Sequence, residues 1–404
     1  MGKSLCLLSI SILLLAGWSL GQGAVSLPSK SSVNWTEFHT LDMMRWNPYE
    51  TVLGVSNVGS LRKRGSYNTG GQVSSPAVVD GAIYFGSFDS NVYAVSARTG
   101  SLLWSYATGS LVYGSPAVAK GVVYVGSYGD LPCSCAIYGL NASTGAPVWS
   151  YATSYPAGSP AVANDVVFVE LATFGLDAFD ASSGVLLWTF NNGFTGSSAP
   201  AVANGVVYVG SDYPDNRVYA LDAKTGVSLW VYSTEGAVGS PAVANGVVYV
   251  GSGDGNLYAL NATTGAPLWR YGTGNIASPA VANGVVYVGS EDDNVYALNA
   301  STGAMLWSYT AGGYVRSSPA VANGVVYVGS DDDNVYALDA STGAMLWSYG
   351  IGSTVTSSPA VVNGTVYIGS DDGTGYSFGL PRGPERQHPN LDRPASAPQM
   401  AVPE

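Results

Sequence analysis

A four-residue segment, Ser-Pro-Ala-Val or a close variant, recurs eight times along this chain of 404 residues and sets the period of its fold. Successive prolines of the segment are 38 to 44 residues apart, at Pro76, Pro116, Pro160, Pro200, Pro241, Pro279, Pro319 and Pro359. A period near forty residues indicates stacked supersecondary units, because one such unit cannot bury its apolar faces alone.

Each repeat contains four short strand patterns, seen best in residues 317–350. Asn323-Gly324 is a two-residue turn between apolar runs, since both residues tolerate the positive φ that tight hairpins need. The inner runs are almost continuously apolar, as is typical of strands covered on both faces by neighbouring sheets. Four-stranded sheets packed face to face around an axis form a β-propeller. The sequence therefore predicts an all-β, eight-bladed propeller of four-stranded antiparallel blades.

A second motif, Ala-x-Asp/Asn-Ala-x-Thr-Gly-x-x-x-Trp, recurs late in the repeats, as from Ala220 to Trp230 and from Ala337 to Trp347. It resembles the tryptophan-docking motif of the pyrroloquinoline-quinone (PQQ) type propeller repeat over roughly residues 35–380. The seven-bladed repeat with Gly-His and Trp-Asp signatures fits less well, because the two histidines, His39 and His388, lie outside the repeats. Seven tryptophans hold the docking position and are interpreted as structural: Trp104, Trp149, Trp188, Trp230, Trp269, Trp307 and Trp347.

The propeller is predicted to span residues 60–380 and to close through both chain ends. The last repeat stops after its third strand at Leu380, whereas residues 60–71 match only a fourth strand. In that alignment Gly65 occupies the position of the docking tryptophan. We therefore expect the first and last blades to open before the others, because a missing buried aromatic side chain weakens packing.

The segments outside the propeller have distinct compositions. Residues 1–23 combine Lys3 with an apolar run from Leu5 to Trp18 and then small residues, which indicates a cleavable signal peptide too short to span a membrane. Cys6 lies inside that run, so no lipid anchor is evident, and we expect a secreted or periplasmic monomer. Residues 24–59 are similar to the lead-in of PQQ-type propellers and are expected to cross the ring. The proline-rich residues 381–404 predict a disordered tail.

Charge and cysteine content exclude some classes of function. The formal net charge of −12, with basic residues scattered along the chain, argues against a nucleic-acid partner, which needs clustered Lys and Arg. Cys133 and Cys135 are separated only by Ser134. Export favours a disulfide between them, but bridging residues this close strains the ring, so free thiols and a metal site are the alternatives.

Functional residues in a nearly symmetric ring are sought where the symmetry breaks. Glu170 replaces the glycine of Val-Gly-Ser, and Asp177 replaces a tyrosine, both in the third blade. Two carboxylates there could bind calcium or act as a base, or simply face solvent. Four aromatic residues on blade-to-blade loops could stack on sugars or a peptide, or pack within their loops: Tyr113, Tyr155, Phe194 and Tyr314. The acidic turns near Glu291 and Asp331 are interpreted as hairpin turns.

Three functions follow from the resemblance. It implies a dehydrogenase that holds PQQ and calcium in the axial funnel, for which Glu170, Asp177, Arg217 and Arg316 are the cofactor-binding candidates and Glu170 the metal ligand. The three carboxylates of PQQ require several cations, however, and the alcohol-oxidising enzymes carry adjacent cysteines over the cofactor. We therefore favour a non-catalytic scaffold without cofactor that binds a protein at the cell envelope, like the propeller of the outer-membrane-assembly lipoprotein. A carbohydrate- or polymer-binding propeller is the third interpretation.

Overall fold

The protein is an all-β, eight-bladed propeller, as the sequence predicts. The computed structural model describes residues 34–38, 44–130, 134–172, 174–191, 198–275 and 277–381. The predicted signal peptide, Cys133, Phe194 and the tail after Pro381 lie outside the described residues. Along the part of the chain that is described, no helix has the length and apolar character needed to cross a membrane.

Each blade is one four-stranded antiparallel sheet, numbered here from the first Ser-Pro-Ala-Val segment, with its first strand nearest the axis. The strands of blades 1 to 4 are Ala77–Val79, Ala82–Gly86, Asn91–Ser96 and Leu102–Ala107; Ala117–Ala119, Val122–Gly126, Cys135–Asn141 and Pro147–Thr153; Ala161–Ala163, Val166–Leu171, Gly175–Asp180 and Leu186–Asn191; Ala201–Ala203, Val206–Gly210, Arg217–Asp222 and Ser228–Ser233. Those of blades 5 to 7 are Ala242–Ala244, Val247–Gly251, Asn256–Asn261 and Pro267–Gly272; Ala280–Ala282, Val285–Gly289, Asn294–Asn299 and Met305–Thr310; Ala320–Ala322, Val325–Gly329, Asn334–Asp339 and Met345–Gly350.

Blade 8 is built from both ends of the described chain. Its first three strands are Ala360–Val362, Thr365–Gly369 and Thr374–Gly379, and its fourth is Arg62–Asn68. Gly65 pairs with Ser377 immediately after a bulge, just as Trp149 pairs with Gly139 after a bulge in blade 2. The predicted closure by an N-terminal strand is therefore confirmed, and Gly65 stands in the register of a docking tryptophan.

The docking tryptophans join each blade to the next. Their indole N–H groups donate to backbone carbonyl oxygens at 2.8–3.2 Å, and six of these carbonyls belong to the docking motif of the following blade. Trp104, for example, donates to Ala142 and lies against Gly145, where an added Cβ would be 2.7 Å from the ring. Glycine is thus required at this position for two reasons: its φ of 73° is positive, and the tryptophan ring packs where a side chain would lie.

The lead-in crosses the ring and covers backbone groups that face the axis. The first strand of each blade is an edge strand, whose outward N–H groups lack a partner within the sheet. Backbone oxygens of Trp35, Thr36, Met44 and Arg45 accept N–H groups from the first strands of blades 1, 2, 6 and 7 at 2.7–3.0 Å. The short strand Trp46–Asn47 runs parallel to the first strand of blade 7. The lead-in therefore ties together blades that are far apart in sequence.

Two buried ionisable residues of the lead-in strengthen this attachment. Arg45 is fully buried, donates to the carbonyl oxygens of Pro319 and Pro359 at 2.9 Å, and has its pKa lowered to about 9 by burial. Glu37 accepts the N–H of Val162 in blade 3 at 3.0 Å, and burial raises its pKa to about 8. Because a buried ionisable group needs hydrogen bonds to offset desolvation, these contacts fix where the lead-in crosses blades 3, 7 and 8.

The missing tryptophan predicts a local weakness at the junction of blades 8 and 1. We expect amide hydrogen exchange in the outer strands of blades 1 and 8, such as Leu102–Ala107 and Arg62–Asn68, to be faster than in blades 4 to 6. The reason is that less buried contact holds these sheets together, so opening costs less free energy. Hydrogen exchange followed by mass spectrometry measures this directly, and uniform protection around the ring would contradict it.

Candidate functional site

The axis of the propeller contains a funnel, a cavity of about 670 Å³ that draws its walls from all the blades. Its wall is a ring of serines from the Ser-Pro-Ala-Val segments, including Ser75, Ser115, Ser159, Ser240, Ser278, Ser318 and Ser358. Several hydroxyl oxygens accept a backbone N–H from the preceding blade; Ser159 accepts that of Ser115 at 2.9 Å and Ser75 that of Ser358 at 2.8 Å. Phe38 of the lead-in also lines the funnel and lies 4.6 Å from the Arg45 guanidinium.

One sector of the funnel mouth is aromatic. Tyr113 lies between Phe88 and Tyr128, with ring centroids 5.7 and 5.9 Å apart, and its side chain is 52% exposed. Tyr155, also predicted as a candidate, stacks on Phe174 at 5.0 Å. The two predicted tyrosines thus lie in small aromatic clusters, whereas Tyr314 packs instead against the Arg316 guanidinium at 5.0 Å.

A second sector of the mouth, formed by other blades, is acidic. The residue that follows the Gly-Ser pair of the second strand is aromatic in blades 1 and 2 but acidic in four other blades: Asp212, Glu291, Asp331 and Asp371. Asp371 accepts hydrogen bonds from Gln72 at 2.6 Å and from two threonine hydroxyls. The next acidic residue in each turn is structural, since Asp332 accepts the Tyr336 hydroxyl at 2.6 Å and the Asn334 N–H at 3.1 Å. These contacts fit the hairpin interpretation of the acidic turns.

Of the two predicted cations, the structure places Arg316 in the funnel and Arg217 outside it. Arg316 forms ion pairs with Glu291 at 2.9 Å and Asp331 at 2.7 Å, and the hydrogen bond from Arg316 lowers the pKa of Glu291. Arg217 begins the third strand of blade 4, opposite Ser233 of the outermost strand, and is held by Asp215 at 3.1 Å. The expected position of Arg217 at the funnel is therefore wrong, because strand register places it at the start of the third strand, as it places Asn334 in blade 7.

The two carboxylates of blade 3 do not form a pair. Glu170 pairs across the sheet with Leu176 and Asp177 pairs with Val169. Cross-strand partners share a face and neighbouring residues alternate, so Glu170 and Asp177 lie on opposite faces of the sheet. Burial raises the pKa of Asp177, although its hydrogen bond to Thr189 opposes the shift.

Glu170 is fully buried beside the funnel wall. Its Oε2 accepts the hydroxyl of Ser198 at 2.8 Å, whereas its Oε1 has no hydrogen-bond partner among the described residues. Burial raises its pKa well above the ordinary value of 4.5, and the nearby charge of Asp212 adds to the shift. The protonated, neutral form is thus favoured, which is the opposite of what a calcium ligand requires.

The funnel lining does not fit PQQ. Among the described lining residues the one cation is Arg316, which is already paired with Glu291 and Asp331, whereas Asp212 adds negative charge. Three buried cofactor carboxylates would lack charge-assisted partners there. Within the described ranges no group of three or more His, Cys, Asp or Glu residues is placed to hold a metal ion. Cys135 is disulfide-bonded; because Cys133 lies outside the described residues, its pairing with Cys135 stays a prediction.

Sequence reasoning missed several residues of this site. Phe38, Asp212 and Glu291 all line the funnel. The signal for the last two was available, because the position after each Gly-Ser pair varies from blade to blade while its neighbours repeat. Phe38 could not be found this way, since the lead-in contains no repeat to which it can be aligned.

Comparisons with known proteins place this geometry in a family. A family model described as outer membrane protein assembly factor BamB matches residues 51–189, 89–237, 172–277 and 272–397. Among curated proteins, quinohemoprotein alcohol dehydrogenase ADH-IIG of Pseudomonas putida is 28% identical over 224 residues, which cover 51% of this chain and 26% of that protein. The chain thus aligns with about a quarter of that relative's length.

Solved structures show the same fold. BamB from Moraxella catarrhalis has a TM-score of 0.66 at 22% identity, covering 79% of this chain and 99% of that one. A europium-containing methanol dehydrogenase has a TM-score of 0.75 at 16% identity, covering 87% and 99%. The propeller is therefore common to proteins whose names indicate an assembly factor and an enzyme.

The buried state of Glu170 predicts a specific pH dependence of stability. The folded chain retains this proton to a higher pH than the unfolded chain. The contribution of Glu170 to the free energy of unfolding is therefore fully present below about pH 4.5 and is lost as pH rises through the elevated folded-state pKa. The stability advantage of Glu170→Gln over the parent should therefore grow as pH rises above about 4.5, by at most about 1.4 kcal/mol per pH unit, and level off above the folded-state pKa.

Melting temperatures measured across this range test the prediction. Glu235→Gln is the control, because the Glu235 side chain is exposed. A difference between Glu170→Gln and parent that does not change with pH would contradict the buried, protonated carboxyl.

Proposed function

This chain belongs to the β-propeller family described as outer membrane protein assembly factor BamB, and we propose that it is an exported, non-catalytic propeller that binds a protein partner at the cell envelope. The charge of the funnel carries the proposal. Its single described cation is paired with two carboxylates, and Asp212 adds a further acidic group to the lining. A small anionic cofactor would be repelled by this lining, whereas a protein segment can bind without a cluster of unpaired cations.

The aromatic sector of the mouth supports a protein ligand. Tyrosine supplies a large contact area with a polar tip, and it is enriched in protein interfaces. Tyr113 and Tyr128 are 52% and 38% exposed on the same small cluster, and the acidic sector adds charge selection. A segment carrying apolar and basic side chains is complementary to both sectors.

A PQQ- and calcium-dependent dehydrogenase is the second candidate. It is supported by the quinohemoprotein relative at 28% identity and by the buried Glu170 carboxyl behind the funnel wall. In that case Glu170 would have to lose its proton to hold calcium, and Arg316 would have to exchange a carboxylate for the cofactor.

Calorimetric titration of the mature protein with PQQ, with and without calcium, separates the two candidates. We expect no saturable heat and no dye-linked alcohol oxidation, because the lining supplies too few cations. Calcium-dependent, saturable binding that is lost in Glu170→Gln would overturn the proposal and establish the dehydrogenase.

Site-specific photo-crosslinking tests the proposal directly. A photoreactive residue in place of Tyr113 should give a discrete protein adduct in cells, since this side chain lies at the funnel mouth. The matched control is Leu187, which is 49% exposed on the outer strand of blade 3. Soluble glycans serve as competitors, because the same tyrosines could stack on sugars. Equal adducts from both positions, or loss of the Tyr113 adduct to glycan, would contradict a protein site at the mouth.

A further inference from the structure

The vacant tryptophan position at the junction of blades 8 and 1 opens into a cavity of about 740 Å³, here named the seam cavity. It lies between the two sheets, and its lining includes Arg62–Tyr67 of blade 8 and Ser96–Gly100 of blade 1. The turn Ser96–Gly100 is the docking motif of blade 1, which would receive a tryptophan from position 65. The seam cavity is separate from the funnel, whose mouth is formed by other turns.

The six junctions in which a tryptophan docks on a motif glycine show what the seam lacks. At each of them a Cβ on the motif glycine would lie 2.5–2.7 Å from a tryptophan ring, at Gly145, Gly184, Gly226, Gly265, Gly303 and Gly343. At Gly100, which has the same positive φ of 73°, nothing lies within 4 Å. The receiving surface for an indole is therefore present at the seam while the indole is absent.

A hydrogen-bond acceptor for the indole is also present. In blade 1 both the Tyr84 hydroxyl and the Trp104 N–H donate to the carbonyl oxygen of Ala142, at 3.1 and 2.8 Å. The corresponding residues at the seam are Tyr367 of blade 8 and Ala97 of blade 1, and both line the cavity. By alignment, the Ala97 carbonyl is the acceptor that corresponds to its six counterparts.

The rim of the seam cavity is strongly basic in an acidic protein. Four of the fifteen Lys and Arg residues of the chain line it, namely Arg62, Lys63, Arg64 and Arg98, and its described lining residues include no Asp or Glu. All four are exposed, and none takes part in an ion pair with another described residue. Such a cluster attracts acidic chains.

From this combination we infer that the seam cavity binds an acidic segment of a partner protein through one tryptophan, which fills the position left by Gly65. The indole stacks on Gly100 and donates to the Ala97 carbonyl, while flanking carboxylates contact the four basic residues. The chain's own residues 382–404 contain no aromatic residue, so they cannot supply this side chain. The inference rests on the proposed function as a protein-binding propeller and adds the chemistry of one ligand.

The experiment uses a fluorescein-labelled synthetic peptide with one tryptophan between glutamates, and fluorescence anisotropy with the mature protein. We expect saturable binding that weakens as salt is raised. Replacing the peptide's tryptophan by alanine should weaken binding at least about tenfold, as for a central buried anchor. Equal binding of the alanine peptide would mean that the peptide binds only through its negative charge, and it would overturn the inference.

Two protein variants locate the site. Gly65→Trp fills the cavity from within, so it should abolish peptide binding while raising the melting temperature by about 2–4 °C. Arg98→Glu should weaken binding about tenfold or more without any new core contact. Its matched control is Lys224→Glu, at the same motif position in blade 4, where Trp188 already fills the junction.

The outcomes distinguish this inference from the proposed function. Peptide binding that survives both Gly65→Trp and Arg98→Glu, or that is lost equally in Lys224→Glu, overturns the seam site. Such a result would leave the crosslinking at Tyr113 unaffected. PQQ binding in the funnel would overturn the proposed function and would not change where the peptide binds.

Discussion

The contact between one tryptophan and the next blade's docking turn holds this ring together. A four-stranded sheet has two apolar faces and cannot bury either alone, so each blade depends on its neighbours. The tryptophan makes that dependence specific, because its ring requires a glycine beneath it and its N–H requires one particular carbonyl. Sequence change at these positions is limited from both sides of the six junctions that have both a tryptophan and a motif glycine, whereas the outer strand surfaces are free to vary.

Ring closure brings a second constraint, at the axis. The first strands are edges that face one another across the centre, and an edge strand exposes unpaired backbone groups. The lead-in and the serine ring provide the partners, through main-chain oxygens such as that of Thr36 and hydroxyls such as that of Ser159. The funnel is therefore lined by groups already engaged in holding the ring, and only the variable turns at its mouth are left to determine a ligand.

The sites proposed for ligand binding in this protein are departures from symmetry. The funnel mouth combines aromatic residues of blades 1 and 2 with acidic residues of later blades. At the seam, the absence of one side chain leaves a shaped cavity with a basic rim. Both features use the same repeated backbone, which is why relatives with different names share the fold.

The sequence alone determined the blade number, the strand order, the role of the tryptophans and the vacancy at Gly65. These features follow from a repeated pattern, and the aligned repeats support the same assignment. It could not determine which residues outside the repeated pattern contact one another. Arg217 lay on a loop by alignment, yet strand register carries it away from the axis, and the pleat separates Glu170 from Asp177. Arg98 joins Arg62 and Lys63 only because the ring closes. Periodicity encodes local contacts that recur, whereas contacts between distant, non-repeating residues depend on register and closure, which only the tertiary structure decides.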